Sequence, residues 1–270
     1  MFMAAVFTLK PQRSATLPAY LGRATHAAFL KLVAAQDPEL AQRLHEPNQE
    51  RPFTVSDVWG EGVRRQGSSS FSPEKEYFLR ITSISPTLSA FLQETLLAGP
   101  LPTLELAGLP FQVTGVTLDP SQNPWAGTAT DAALLERVGL QPHFPSQVTL
   151  RFASPTVFRS QKAYMPLPLP RLVFEGLARR WNDYATIAMP SEVVRYAEEC
   201  LVISRYRLQT ERVSRGEKGA FPGFVGTCTF TMRVKDRYWL GAIHLLAHFA
   251  FYAGVGRQTA MGLGQVRVVG

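Results

Sequence analysis

RYWLGAIHLLAHFAFYAGVGRQTAMGLGQVRVVG, residues 237–270, is the stretch on which the reading of the fold turns. It opens with apolar residues at helical spacing, with Asp236 in front as an N-cap and Gly254 behind as a C-terminal stop. It closes on GQVRVVG, which alternates as a short strand. Between them four glycines, Gly254, Gly256, Gly262 and Gly264, crowd around Arg257, Gln258 and Thr259. A nearly naked backbone beside one arginine and one threonine suggests a phosphate contact. A glycine-heavy structural turn is the plainer alternative. The common nucleotide-loop pattern G-x-x-x-x-G-K-[ST] is missing, and the loop follows a helix rather than opening one.

Outward from this helix–loop–strand closure, the second half reads as a series. SQVTLRFASP (146–155) is a strand and PRLVFEGLARRWNDY (170–184) a helix. CLVISRYRLQT (200–210) and FVGTCTFTMRV (224–234) are β-rich and flank a turn-prone SRGEKGAFPG. The first half repeats the order. AAVFTLKP (4–11) is a strand, ATHAAFLKLVAAQ (24–36) a helix that stops before Asp37-Pro38, and ELAQRLH a second helical piece ending at His45. RPFTVSDV (51–58) and EYFLRITSI (76–84) follow as strands, then a helix over 85–96 with Ser85 as N-cap and Pro86 at its first position. LPFQVTGVTL (109–118) is the last strand. A polar break at 119–131 and a short helix at 131–138 separate the halves. The expectation is an α+β protein of two tandem ferredoxin-like (RRM-like) β-α-β-β-α-β domains, 1–130 and 131–270.

Composition agrees with a globular chain. The 270 residues are 46% hydrophobic and 18% charged, enough for two cores of ordinary size. No apolar run approaches the roughly 18 residues of a membrane span, and the start lacks the basic and long apolar regions of a signal peptide. Two cysteines, Cys200 and Cys228, make neither a disulfide framework nor a four-thiolate metal site, so a reducing, cytoplasmic setting and no membrane partner are expected. Charge is uneven. Residues 1–150 hold 11 Lys/Arg against 13 Asp/Glu, whereas residues 151–270 hold 17 against 8. Arginine supplies 22 of the 28 basic residues, and its planar fork suits bidentate phosphate contact. Either a polyanion lies along the second half, or that half has a solvated basic surface.

Four ordered landmarks then carry a resemblance. GVGRQTAMGLGQVRV matches a glycine-rich C-terminal loop in glycine spacing and in its place after the final helix. VTLRFASPTVFR (148–159), with the PLP…LVFEGLARRWN helix behind it, opens the second half. GFVGTCTF (223–230) and HLLAHFAFYAG (244–254) complete it, and RLHEPNQERPFTVSDVWG (43–60) matches a Leu-His segment before a Phe-Thr strand. In these the chain resembles the CRISPR repeat-processing endoribonucleases, the family of the sixth Cas protein. The resemblance covers nearly the whole chain. It implies two ferredoxin-like domains, CRISPR repeat RNA as partner, and His45 as a catalytic residue carried by the N-terminal domain. It also implies a second catalytic group on the first helix, where His26 stands, and a glycine-rich loop of the C-terminal domain (Gly254, Gly256, Arg257, Gln258, Thr259, Gly262, Gly264) lying against RNA. Further partners in a CRISPR effector complex, and a monomer or a homodimer, are compatible with it.

The chemistry needs no cofactor. A ribose 2′-OH attacks the adjacent phosphate, one group takes its proton, another protonates the leaving 5′-oxygen, and a cation offsets the developing charge. Histidine suits either proton role because its unperturbed pKa is about 6.5. The products would be a 2′,3′-cyclic phosphate and a 5′-hydroxyl. Lys31 and Arg51 are the candidate cations. Arg159 and Lys162, after the FASPTVF strand, are further RNA-contact candidates, and SRGEKGAFPG (214–223) is a candidate basic hairpin tip. His244 and His248 stand at i and i+4, a spacing that can grip zinc, but neither the H-E-x-x-H glutamate nor a third ligand is evident, so a core or interface role is expected and no metal. His143 reads as a loop residue. Two functions therefore stand: a metal-independent endoribonuclease that cuts within CRISPR repeats, and a non-cleaving subunit that holds repeat RNA.

Overall fold

The computed structural model describes residues 1–46, 50–63, 67–139, 141, 143–214 and 219–270. The tip of the candidate basic hairpin, residues 215–218, lies outside the described residues. The chain divides into two compact units, residues 1–128 with 259–262, and residues 129–258 with 263–270. Among the described residues, no helix is long and apolar enough to cross a membrane.

The first unit is built on β1 (Phe2–Pro11), an apolar run buried on both faces. It is followed by β2 (Ala15–Pro18), α1 (Gly22–Ala34) and α2 (Pro38–His45), then β3 (Phe53–Val55), β4 (Trp59–Gly60), β5 (Ser68–Phe71) and β6 (Tyr77–Ser83). Next come α3 (Pro86–Leu92), β7 (Thr103–Leu106), β8 (Leu109–Thr117) and β9 (Gly127–Ala129). The main sheet runs β3-β6-β1-β8-β7, with β1 antiparallel to both neighbours: Phe7 faces Leu79 on one side and Val116 on the other. Within it the elements β1, α1, β3, β6, α3, β8 form the ferredoxin-like series, and their strands lie in the order second–third–first–fourth. Local chemistry accounts for the helix starts. Asp37 accepts from the Leu40 amide ahead of Pro38, and Ser85 accepts from the Leu88 amide ahead of Pro86. The helix expected over 85–96 is α-helical only to Leu92 and continues as a π-turn over Gln93–Leu97. Strand β7, not expected from the sequence, is held to β8 by a two-residue turn in which Ala107 (φ 51°) and Gly108 (φ 80°) are both left-handed.

The second unit begins with α4 (Asp131–Gly139) and β10 (Gln147–Thr156). These lead through β11 (Phe158–Ser160) and β12 (Ala163–Met165) to α5 (Pro170–Tyr184) and α6 (Glu192–Cys200), the latter also unexpected. Then come β13 (Leu201–Ser214), β14 (Ala220–Met232), α7 (Arg237–Ala253) and β15 (Val266–Val268). The sheet order β13-β14-β10-β15 repeats the second–third–first–fourth pattern. Val148, Leu150 and Phe152 of β10 face the helices and are buried. Phe230 of β14 meets Phe174 of α5 edge-on at 5.5 Å, and Trp181 meets Phe249 of α7 at 5.2 Å. Asp236 caps α7 by accepting from the amides of Tyr238 and Trp239. The fold is α+β, with two tandem ferredoxin-like domains.

Candidate active site

In the first unit, α1 presents His26 toward β3. The ring stacks on Phe53, centroids 5.9 Å apart and planes 11° from parallel, and only 7% of the residue is exposed. Burial, reinforced by the positive charge of Arg51, pulls the His26 pKa down to about 4, against an opposing hydrogen bond to the backbone of Ala260. Nδ1 is buried with no hydrogen-bond partner. The ring is therefore neutral at pH 7. His45 is the last residue of α2 and is exposed, and it is close enough to act electrostatically on His26. Arg51 is half-buried. Its guanidinium donates to the Leu44 carbonyl, one of the open carbonyls at the C-terminus of α2, which places a cation beside His45. Burial lowers the Arg51 pKa, yet a guanidinium stays charged at neutral pH.

His26, His45 and Arg51 thus belong to one cluster. Lys31 does not join it: it is exposed on α1 five residues beyond His26, about 140° around the helix. Of the two candidate cations, Arg51 is the one placed near His26 and His45.

Residues 259–262 belong to this unit and lie against the start of α1. Gly262 donates to the Val55 carbonyl at 2.8 Å and bridges to Ser56. Tyr20 donates its hydroxyl to the Met261 carbonyl. Thr25 donates to the Ser56 carbonyl at 2.9 Å. The approach is so close that glycine is required on both sides. A Cβ on Gly22 would sit 2.2 Å from the Met261 oxygen, and one on Gly262, at φ +89°, would sit 3.2 Å from the Gly22 Cα. Asp57 secures the same junction from the strand side, its Oδ1 accepting from the amides of Leu21 (3.0 Å) and Val58 (2.8 Å), while burial raises its pKa to about 7. This interlock sets where Ala260, and with it His26, stands.

Of the loop, residues 254–258 with 263 and 264 belong to the second unit, whereas Thr259 and Gly262 belong to the first. Several of the loop's backbone N–H groups are engaged within the protein. Gly254 donates to Ala250, Val255 to Gly264, Arg257 to Val157, Gly262 to Val55, and Gly264 to Pro155. Gly254, Gly262 and Gly264 are buried. A loop that must hold its own shape satisfies its amides internally. What faces outward is the Arg257 side chain, with Gln258 half-buried and Thr259 buried. The Arg257 guanidinium lies 6.0 Å from the ring centre of Tyr164, on β12. Tyr164 pairs with Arg159 across the β11–β12 hairpin, whose tip carries Lys162, and both basic residues are exposed. Arg257, Arg159 and Lys162 thus share one basic patch around an aromatic ring. Gly256 lies at the foot of this patch, against Val157.

The i, i+4 histidines are packed within the second unit. His244 Nε2 is hydrogen-bonded to the Pro145 carbonyl at 2.8 Å, and the ring stacks on Phe144. Burial lowers the His248 pKa to about 4. Among the described residues, no group of three or more His, Cys, Asp or Glu gathers as a metal site. His143 is exposed. Four residues of the site escaped the sequence reading: Phe53, Asp57, Ala260 and Tyr164. Only Asp57, a carboxylate directly after the β-rich Phe-Thr-Val run, offered any local signal.

The family model described as "CRISPR Cas6 N-terminal domain" matches residues 1–136, and that described as "CRISPR-associated endoribonuclease Cas6" matches residues 150–266. The CRISPR-associated endoribonuclease Cas6 of Mycobacterium tuberculosis (strain CDC 1551 / Oshkosh) is 28% identical over 166 residues, 61% of this chain and 49% of that protein. That of Streptococcus thermophilus is 30% identical over 120 residues, 43% of this chain and 48% of that protein. The chain spans about half the length of these curated relatives. Among solved structures, Thermus thermophilus Cas6 superposes with a TM-score of 0.74 at 28% identity, covering 100% of this chain and 98% of that one. A Cas6 product complex superposes at 0.82 and 28%, covering 100% of both. With both halves matched in order and the fold shared end to end, the chain belongs to the Cas6 family.

Proposed function

We propose that the protein is an endoribonuclease that cuts CRISPR precursor RNA within its repeats, without a metal, through attack of the ribose 2′-OH on the neighbouring phosphate. The observation that carries the reading is the cluster of a buried neutral histidine, an exposed histidine and a tethered guanidinium: His26, His45 and Arg51. His26 takes the 2′-OH proton once RNA binding exposes its Nδ1, which is unpartnered and buried in the free protein. A pKa of about 4 makes it a weak base in the free protein. An anionic phosphate drawn beside it favours the protonated ring and lifts that pKa toward the working range. His45 delivers the proton to the leaving 5′-oxygen, and Arg51 offsets charge on the phosphorane-like transition state. The bond from the 2′-oxygen to phosphorus forms as the bond to the 5′-oxygen breaks, giving a 2′,3′-cyclic phosphate and a 5′-hydroxyl. Arg257, Arg159 and Lys162 hold RNA phosphates.

The test is repeat RNA from the protein's own locus carrying one 2′-deoxy nucleotide just upstream of the scissile phosphate. This RNA should bind and not be cut, while unmodified RNA is cut at full rate in excess EDTA. Cleavage of the deoxy RNA at the same bond, or loss of activity in EDTA, overturns the mechanism. Binding of unmodified RNA without cleavage would assign the protein to the holding role instead.

A further inference from the structure

The hydrogen bond made by one nitrogen of a neutral imidazole decides where its single proton sits, and so which nitrogen can act as a base. His26 is hydrogen-bonded to the backbone of Ala260. That bond favours the charged ring, so the ring is the donor and the Ala260 carbonyl the acceptor. Nδ1 is buried without a hydrogen-bond partner. The nitrogen that donates is therefore Nε2, and the lone pair lies on Nδ1.

The residues around the accepting carbonyl are each fixed by a different contact. Thr259–Met261 form one turn of 3-10 helix. The Ala260 side chain is buried in the same core cluster as Phe29, Phe53 and Val55. The Met261 carbonyl, next along the chain, accepts from the Tyr20 hydroxyl, and Gly262 donates to the Val55 carbonyl at 2.8 Å. Burial raises the Tyr20 pKa, so its hydroxyl remains a donor at neutral pH. Tyr20 stands two residues before Gly22, the first residue of α1, and His26 stands on the second turn of that helix. The side chains of Tyr20 and His26 thus hold adjacent carbonyls of one turn. A shift of the turn would move the acceptor of His26, and the Tyr20 hydroxyl opposes that shift.

We propose that the Ala260 carbonyl fixes the tautomer of His26, which makes Nδ1 the nitrogen that takes the 2′-OH proton, and that Tyr20 is a positioning residue for this base. The proposal rests on His26 acting as the base of the cleavage reaction proposed above. The proton passes from the 2′-oxygen to Nδ1 as that oxygen bonds to phosphorus, and the bond from phosphorus to the 5′-oxygen breaks with a proton from His45. Nε2–H keeps its bond to Ala260 throughout, and the bond strengthens as the ring becomes cationic. A backbone carbonyl here does what a buried carboxylate does for the histidine of a serine protease: it sets the tautomer and stabilises the imidazolium.

The test uses the full chain with its histidines labelled with heavy nitrogen, as wild type and as Tyr20→Phe. The His26 signals are those that vanish in His26→Phe. In the wild type at pH 7, Nδ1 should resonate as an unprotonated nitrogen, and Nε2 as a protonated one whose proton exchanges slowly. In Tyr20→Phe that proton should exchange about three- to tenfold faster, the range opened by losing one ordinary hydrogen bond. The His244 ring, hydrogen-bonded to Pro145 in the second unit, should be unchanged, which separates a freed turn from a weakened fold. Single-turnover cleavage of own-locus repeat RNA at saturating protein should slow by about the same three- to tenfold, while affinity stays within about twofold. A wild type that cuts no repeat RNA sinks the nuclease reading alone, and the nitrogen signals still decide the tautomer. A protonated Nδ1 in the wild type overturns the proposal. So does unchanged Nε2 exchange in Tyr20→Phe, or unchanged cleavage where the wild type cuts.

Discussion

Replacing His26 by phenylalanine tests the electrostatic core of the site through stability alone. The ring would keep its stack on Phe53 and lose both the unpartnered Nδ1 and the hydrogen bond to the Ala260 backbone, two changes of about 1–3 kcal/mol each with opposite sign at pH 7. The informative quantity is the pH dependence. An unfolded histidine titrates near 6.5, and burial holds His26 at about 4 in the native protein. Between those values the unfolded chain carries a proton that the folded chain does not, so wild-type stability falls as pH drops from about 6.5 to about 4. The gap of 2.5 units corresponds to about 3 kcal/mol once pH is below 4, and about 2 kcal/mol is lost by pH 4.5. Phenylalanine does not titrate. His248, also depressed to about 4, titrates in both proteins and cancels in the difference. Urea unfolding of both proteins at pH 7, 6, 5 and 4.5 should show the wild type losing about 2 kcal/mol relative to the variant over this range. A difference that stays constant within about 0.5 kcal/mol would refute a buried neutral His26. The same variant should cleave repeat RNA at least about 10²-fold more slowly in single turnover, as expected for loss of a proton-transfer group.

The other expectations can be measured on the same preparations. His45→Ala should lower single-turnover cleavage by about 10²–10⁴-fold while repeat binding by filter assay is retained, and unchanged cleavage would remove His45 from the mechanism. Gly262→Ala should cost about 3 kcal/mol in urea unfolding, since a left-handed backbone and a Cβ 3.2 Å from the Gly22 Cα and the Tyr20 ring combine strain with overpacking. A loss below about 1 kcal/mol would mean that the loop tip is not locked to α1. Arg257→Ala should flatten the salt dependence of repeat affinity by about 0.7–0.9, one phosphate contact, and an unchanged slope would leave the loop a structural turn.

What was legible in the sequence is what depends on neighbours along the chain. Ser85-Pro86 starts a helix because a side-chain oxygen and a fixed proline φ act within one turn, and Asp236 and Gly254 bracket α7 for the same kind of reason. Apolar alternation in 148–152 marks which face of β10 meets the helices. The landmarks of the resemblance are local as well, so the histidines and the glycine-rich loop could be named before any contact was known. Short elements were not legible: β7 depends on the paired left-handed turn at Ala107 and Gly108, and α6 is only nine residues, too short for its periodicity to stand out. The state of the site was decided by tertiary structure alone. His26 is neutral because burial against Phe53 and the charge of Arg51, brought from distant parts of the chain, outweigh its hydrogen bond to Ala260, and no sequence pattern states that balance. Arg51 rather than Lys31 is the nearby cation because helix rotation turns the lysine away while a carbonyl at the end of α2 holds the guanidinium. The loop amides, which looked open, are taken by Val55, Pro155 and Val157 because a buried backbone must find its hydrogen bonds wherever the fold supplies a carbonyl.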